Sequence, residues 1–280
     1  MVLDITLIII TFIVLLTASY TDLKTREVPD WLSYGFIIAA VGIRSIFSLE
    51  WGWFVLISGL LGLALCFGLA CLFYYTHQWG GGDSKLLMGM GAAIGITYPL
   101  VSSSLNIVWF FLALLFIGAF YGLVWMLLLA VKKKKIFLPA WRETLHMYRT
   151  VHWGIIVLTI LLVLLSTLYP FFWPLVFFPA GVFYLFLFVN IIERTCFIKR
   201  VAVSTLTEGD WLAERIVAGT VTIPTKTLEA ADVRALHRLH TTGKVKQVLI
   251  KEGIPFVPSF LLAYAALIIL TIFGSSGWLF

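Results

Sequence analysis

The sequence predicts an all-α polytopic membrane protein of about eight transmembrane helices, carrying a small cytoplasmic α+β domain. Three observations predict it. Of 280 residues, 61% are hydrophobic and 12% charged, against roughly a quarter charged in soluble domains. Apolar runs approaching the ~20 residues that hydrocarbon demands recur along the chain. Lys and Arg collect in alternate loops, as cytoplasmic loops require.

The spans fall at 3–20, 31–49, 52–75, 86–100, 106–131, 153–168, 171–192 and 255–274. The first has Asp4 where a signal peptide carries basic residues and no small-residue cleavage site before Tyr20, so it reads as a retained helix. Loops 21–30, 76–85, 132–152 and 193–254 hold Lys24, Arg26, Lys85, Lys132 to Lys135, Arg142, Arg149 and every basic residue from Arg194 to Lys251. The N-terminus, 50–51, 101–105, 169–170 and the C-terminus hold no Lys or Arg. Both termini are therefore expected outside the cell membrane, with Asp22 and Asp83 on its cytoplasmic side. The net charge of +6 reads as topology and not as a nucleic-acid surface. Arg44, inside the second span, is expected to snorkel to the outer interface, toward Asp4 or Glu50.

Residues 1–131 form a five-span domain that contains both aspartates. Residues 132–192 supply a basic interfacial loop and two further spans. In that loop, lysines beside Phe137, Trp141 and Tyr148 suit an anchoring segment on an anionic lipid surface. Residues 193–254 form the small cytoplasmic domain, and 255–280 the last span. Within 193–254, "TKTLEAADVRALHRLHTTGK" predicts a helix with Thr227 as N-cap, a stripe of Leu228, Val233, Leu236 and Leu239, and Gly243 as its stop. "KVKQVLI" alternates like a strand, with Val245, Val248 and Ile250 on its apolar face.

Cys66, Cys71 and Cys196 include no CxxC pair and read as small buried hydrophobes. His237 and His240 stand three apart without a third ligand. Neither a metal nor a cofactor is expected, since P-loop, dinucleotide, HExxH and GxSxG motifs are missing.

An ionisable residue at a membrane is costly and points to function. Asp22 follows the first span, and Asp83 stands between three glycines and the fourth. An aspartate at a helix end is often only a cap, but two at the same face can be brought together by helix packing. A carboxylate pair cannot ionise fully. One pKa falls, the other rises, and a proton is shared. One group then acts as general base on water while the other donates to a scissile carbonyl. Gly80, Gly81 and Gly82 allow positive φ and close approach of an extended substrate backbone. Gly91-x-x-x-Gly95 has the spacing of closely packed membrane helices. The fourth span, at about 15 residues, is expected to be buried among its neighbours.

At these residues the chain resembles a known family. Gly80-Gly81-Gly82-Asp83 is similar to the GxGD signature of intramembrane aspartyl proteases, and "GGGDSKLL" to the GDxK stretch of type IV prepilin peptidases. "DLKTREVPD", Asp22 to Asp30, looks like that family's first catalytic segment, and "KEGIPFVPSFLLAY" like a stretch near the end of archaeal preflagellin and prepilin peptidases. The resemblance covers the first 130 residues and the tail. It implies Asp22 and Asp83 as the catalytic dyad, with Lys85 and Arg26 as electrostatic support. The implied substrates are archaellin or type IV pilin-like precursors, whose short basic leader is cut at the cytoplasmic face. Glu27, Asp30 and acidic residues of 193–254 are candidates to hold that leader. Bacterial members often carry paired CxxC motifs and methylate the new N-terminus; the lack of such motifs here leaves methyl transfer unimplied. Archaeal members are often described with six spans, and the extra pair here is 153–168 and 171–192.

Two other readings stand beside the peptidase. In a proton-coupled transporter, Asp22 and Asp83 would relay protons and Arg44 would line the path, although transporter sites usually lie mid-membrane. In a membrane scaffold, 193–254 would bind a partner and the aspartates would be dispensable. The expected partners are archaellin or pilin-like precursors and membrane lipids, with no nucleic acid.

Overall fold

The computed structural model describes residues 2–76, 78–97, 105–218, 221–243 and 245–274. Apolar stretches become helices because hydrocarbon offers no partner for a free N–H or C=O, so each segment must satisfy its own backbone. The chain divides into two units, Met1–Leu123 with Ile254–Phe280, and Val124–Gly253.

The first unit contains α1 (Val2–Thr25), α2 (Asp30–Trp51), α3 (Phe54–Tyr75), α4 (Gly81–Ile94), most of α5 (Asn106–Lys132) and α10 (Val257–Gly274). Helix α4 packs against α1, α2 and α3, and α1 packs on α2 and α10. Leu15, Phe36, Leu86, Leu87, Met90, Phe110, Leu114 and Phe260 form its closed centre. Ile38, Leu49 and Phe116 are exposed, as lipid-facing residues must be.

The α3–α4 contact is made by glycines. A Cβ on Gly62 or Gly91 would overlap the carbonyl oxygen of the other, and one on Gly89 would overlap the Phe36 ring. Such small positions let membrane helices gain dispersion contact that lipid cannot supply. Helix α4 has 14 residues, about 21 Å at helical rise, less than the ~30 Å of hydrocarbon. It is short and enclosed, as its composition suggested.

Arg44 departs from expectation. It does not snorkel outward but is buried at 6% exposure. Its guanidinium donates to the carbonyls of Ala92 (2.8 Å), Ala93 (2.9 Å), Ile94 (3.0 Å) and Val55 (3.2 Å). Gly91 O takes the Gly95 N–H at 2.9 Å. The four carbonyls that a helix end leaves orphaned are thus all paired. Gly95 has φ +72, and a Cβ there would meet Arg44 Nη2 and Ser58 Oγ at 2.6 Å. Glycine is required twice over at this position.

The second unit contains the end of α5, α6 (Lys134–Met147), α7 (Arg149–Leu168), α8 (Phe178–Ile191), α9 (Ala230–Thr241) and strands β1 (Ile198–Ala202), β2 (Trp211–Leu212), β3 (Ile216–Ala218), β4 (Val221–Ile223) and β5 (Gln247–Lys251). The interfacial loop is thus mostly helical, because only its lysines, and not its apolar spacing, suggested a loop. β5 lies between β1 and β2, antiparallel to both, and β3 pairs with β4. Val203, Leu212, Ile223, Leu228, Leu236, Leu239 and Val248 form the core beneath. The α9 N-cap is Glu229 and not Thr227, because Glu229 and Asp232 close a reciprocal capping box. Leu228 before the cap and Val233 join the same core, the arrangement of a hydrophobic staple. His240 Nδ1 lies 3.1 Å from the Val245 carbonyl, a local contact.

Each of the eight expected spans overlaps a helix, but the lengths differ, and 98–100 of the fourth lie outside the described residues. Among the described residues, six stretches are long and apolar enough to cross a membrane: α1, α2, α3, α5, α7 and Pro170–Cys196, which includes α8. Helix α4 and the apolar part of α10, Val257–Ile272, are shorter. The expected outer loop 101–105, apart from Leu105, and the tail after Gly274 lie outside the described residues.

Candidate active site

Asp22 occupies the last turn of α1 and is 7% exposed. The helix stops after Thr25 because Arg26 enters the left-handed region, φ 63, and its N–H returns to the Asp22 carbonyl at 3.0 Å. This closure normally uses glycine, and a side chain there costs about 1–2 kcal/mol. The half-buried Arg26 acts electrostatically on Asp22. Asp22 Oδ2 accepts the Val257 N–H at 2.9 Å, so the start of α10, 235 positions away, holds the carboxylate.

Asp83 is half-buried in the first turn of α4, three residues after the N-cap Gly80. The Gly80 main chain hydrogen-bonds its carboxylate, and Ser84 N–H returns to Gly80 O at 3.1 Å. A carboxylate at this position complements the helix dipole. The residue before the glycines, Trp79, stacks on Phe73 at 4.7 Å and lies against Phe256 at 5.6 Å and Phe260 at 5.7 Å. Aromatic packing thus ties the Asp83 turn to the same start of α10 that binds Asp22.

The two carboxylates are within electrostatic reach of each other. The packing of α1 on α4 makes this possible. Tyr121 of α5 is within reach of Asp22 and Arg26 as well.

The remaining candidate residues are placed differently. No residue from Gly80 to Gly82 has positive φ; Gly80 is extended at φ −71, and Gly81 and Gly82 open α4. Their glycine character serves close approach instead. A Cβ on Gly82 would sit 3.1 Å from Val28 Cβ, whereas Gly80 has only the Asp83 carboxylate nearby, at 3.6 Å. Lys85 turns to Asp30 at 2.6 Å and stands 5.1 Å from the Tyr34 ring centroid. Its charge therefore goes to Asp30 and not to the aspartate pair, and Asp30 already has a cation. Glu27 is exposed in the α1–α2 turn.

Sequence reasoning missed two groups here and the partners of a third. Val257 acts through its main chain, which no side-chain motif reveals. Tyr121 is one aromatic among many in α5. Arg44 was noticed, but not its partners at the end of α4.

Two acidic side chains thus stand at the ends of the packed helices α1 and α4. Residues 9–129 match the type IV leader peptidase family. The chain is 35% identical over 91 residues to the preflagellin peptidase of Methanococcus voltae, covering 32% of this chain and 39% of that protein. It is 36% identical over 81 residues to the preflagellin peptidase of Methanocaldococcus jannaschii, 29% of this chain and 34% of that one. It is 30% identical over 123 residues to the preflagellin peptidase of Methanococcus maripaludis, 40% and 51% respectively. The matches thus span about a third to a half of these relatives. No solved structure matches the chain.

Proposed function

We propose that this protein is an aspartyl endopeptidase of the membrane that removes the short basic leader of archaellin or type IV pilin-like precursors. The observation that carries this reading is the packing of α1 on α4, which places Asp22 and Asp83 within electrostatic reach of each other. Both lie inside the stretch that matches the leader peptidase family. In the cell membrane, both aspartates would face the cytoplasm with both termini outside, and 193–254 would form a cytoplasmic domain.

Hydrolysis through such a pair balances without a cofactor. The ionised carboxylate takes a proton from water as the water oxygen bonds to the scissile carbonyl carbon. The protonated carboxyl gives its proton to the carbonyl oxygen. As the tetrahedral intermediate collapses, the first carboxyl protonates the leaving nitrogen, the C–N bond breaks, and the second recovers a proton from the gem-diol.

Co-expression with candidate archaellin and pilin precursors tests the reading, leader loss being read on a gel. Wild type should process one of them. Asp22→Asn and Asp83→Asn should each stop processing while inserting and accumulating normally. Normal processing by either variant would overturn the proposal.

A further inference from the structure

The two carboxylates have unequal surroundings. Asp22 takes the Val257 N–H at 2.9 Å, and the Phe256 main chain and the Arg26 charge also act on it. Each favours a charged carboxylate and offsets burial, the largest influence on the group, which disfavours charge. Asp83 has its Gly80 main-chain bond but faces the charge of Asp22 itself. Around them, Tyr121 of α5 acts on Asp22, Lys24 of α1 stands over the Tyr20 ring, Glu27 is exposed, Asp30 of α2 is held by Lys85, Arg44 is held at the far end of α4, and α10 has no charged residue.

We propose that the start of α10 divides the labour within the pair: the Val257 N–H is a positioning group that keeps Asp22 ionised as general base, leaving the shared proton on Asp83 as general acid. This rests on the peptidase reading and deepens it. The strand-to-helix link 252–256 is then more than a connector, since it delivers the donor.

The group can be deleted without touching a side chain that the reaction needs. Val257 is the first residue of α10, where proline is tolerated because its missing N–H has no helical partner. Val257→Pro removes the donor and Val257→Ala keeps it. The pH profile of kcat/KM for precursor cleavage by the purified full-length protein is the readout, its limbs reporting the pair's macroscopic pKa values. Val257→Pro should move the acidic limb up by about one pH unit, the size expected for losing one bond to a charged group. KM should hold, and Val257→Ala should overlay wild type. An unmoved acidic limb, or a shift confined to the alkaline limb, overturns the assignment. If Val257→Pro fails to fold, hydrogen exchange of the peptide 254–259 in wild type and Asp22→Ala decides. Faster exchange at Phe256 and Val257 in Asp22→Ala supports the contact, and unchanged exchange overturns it. The two levels separate cleanly. Dead Asp22→Asn and Asp83→Asn with an unmoved Val257→Pro profile sink this assignment alone, whereas active Asp→Asn variants sink the peptidase reading.

Discussion

Nε of Arg44 donates to the carbonyl oxygen of Ala92 at 2.8 Å, across 48 positions of sequence. The same guanidinium reaches Ala93 and Ile94. A half-length helix can thus end inside the apolar core, because one side chain supplies the donors that water would give at a surface.

Arg44→Met should therefore be severe. It strands the Ala92, Ala93 and Ile94 carbonyls, each costing about 1–3 kcal/mol when buried unpaired. A loss of roughly 3 kcal/mol or more is expected, read as a lowered Tm in detergent. Arg44→Lys should recover part of it, having three donors on one nitrogen but no planar fork.

The glycine contact between α3 and α4 gives a sharper steric test. Gly62→Ala and Gly91→Ala each push a methyl into the opposing carbonyl and should cost about 1–3 kcal/mol. Gly68, on the same α3, has nothing within 4 Å of an added Cβ, so Gly68→Ala should leave Tm unchanged. Equal Tm values for all three would contradict the close approach.

Asp30→Asn should be nearly silent. The Asp30 side chain is 68% exposed in its pair with Lys85, and such pairs contribute about 0–1 kcal/mol. Processing of a precursor should stay within about twofold of wild type. A tenfold loss in a cleavage assay would instead give Asp30 a part in substrate binding.

The α9 cap carries a pH signature. Lys226 lies 2.8 Å from Asp232, and this bond holds the Asp232 carboxyl below its usual 3.8. A depressed folded-state pKa adds stability above the unfolded value and loses it as pH falls through the folded one. The contribution should hold at neutral pH and fade below about pH 4. Asp232→Ala should remove about 1 kcal/mol with the capping box, and thermal unfolding against pH should show a flatter acid side than wild type.

Much of this was legible in the chain. The helix-forming runs could be read because helical hydrogen bonds are local, four residues apart, and hydrocarbon leaves no alternative. Asp22 and Asp83 could be read because a charge beside an apolar run is expensive enough to need a reason. What the chain alone left open was longer in range. Neither Arg44 at Ala92 nor Lys85 at Asp30 follows from spacing, since each depends on which helix faces meet. The extended glycine loop became the first turn of α4, because the backbone continues helically once Gly82 can settle against Val28. The interfacial helix α6 was hidden by its lysine run.

Sequence by itself determined where the apolar helices lie and that two acids stand at the ends of α1 and α4. Both follow from interactions between near neighbours and from the cost of charge in hydrocarbon. Only the tertiary structure decided that α1 packs on α4, and that Val257 rather than Lys85 attends Asp22. Those are contacts between distant pieces of chain, fixed by the steric fit of small residues at helix faces.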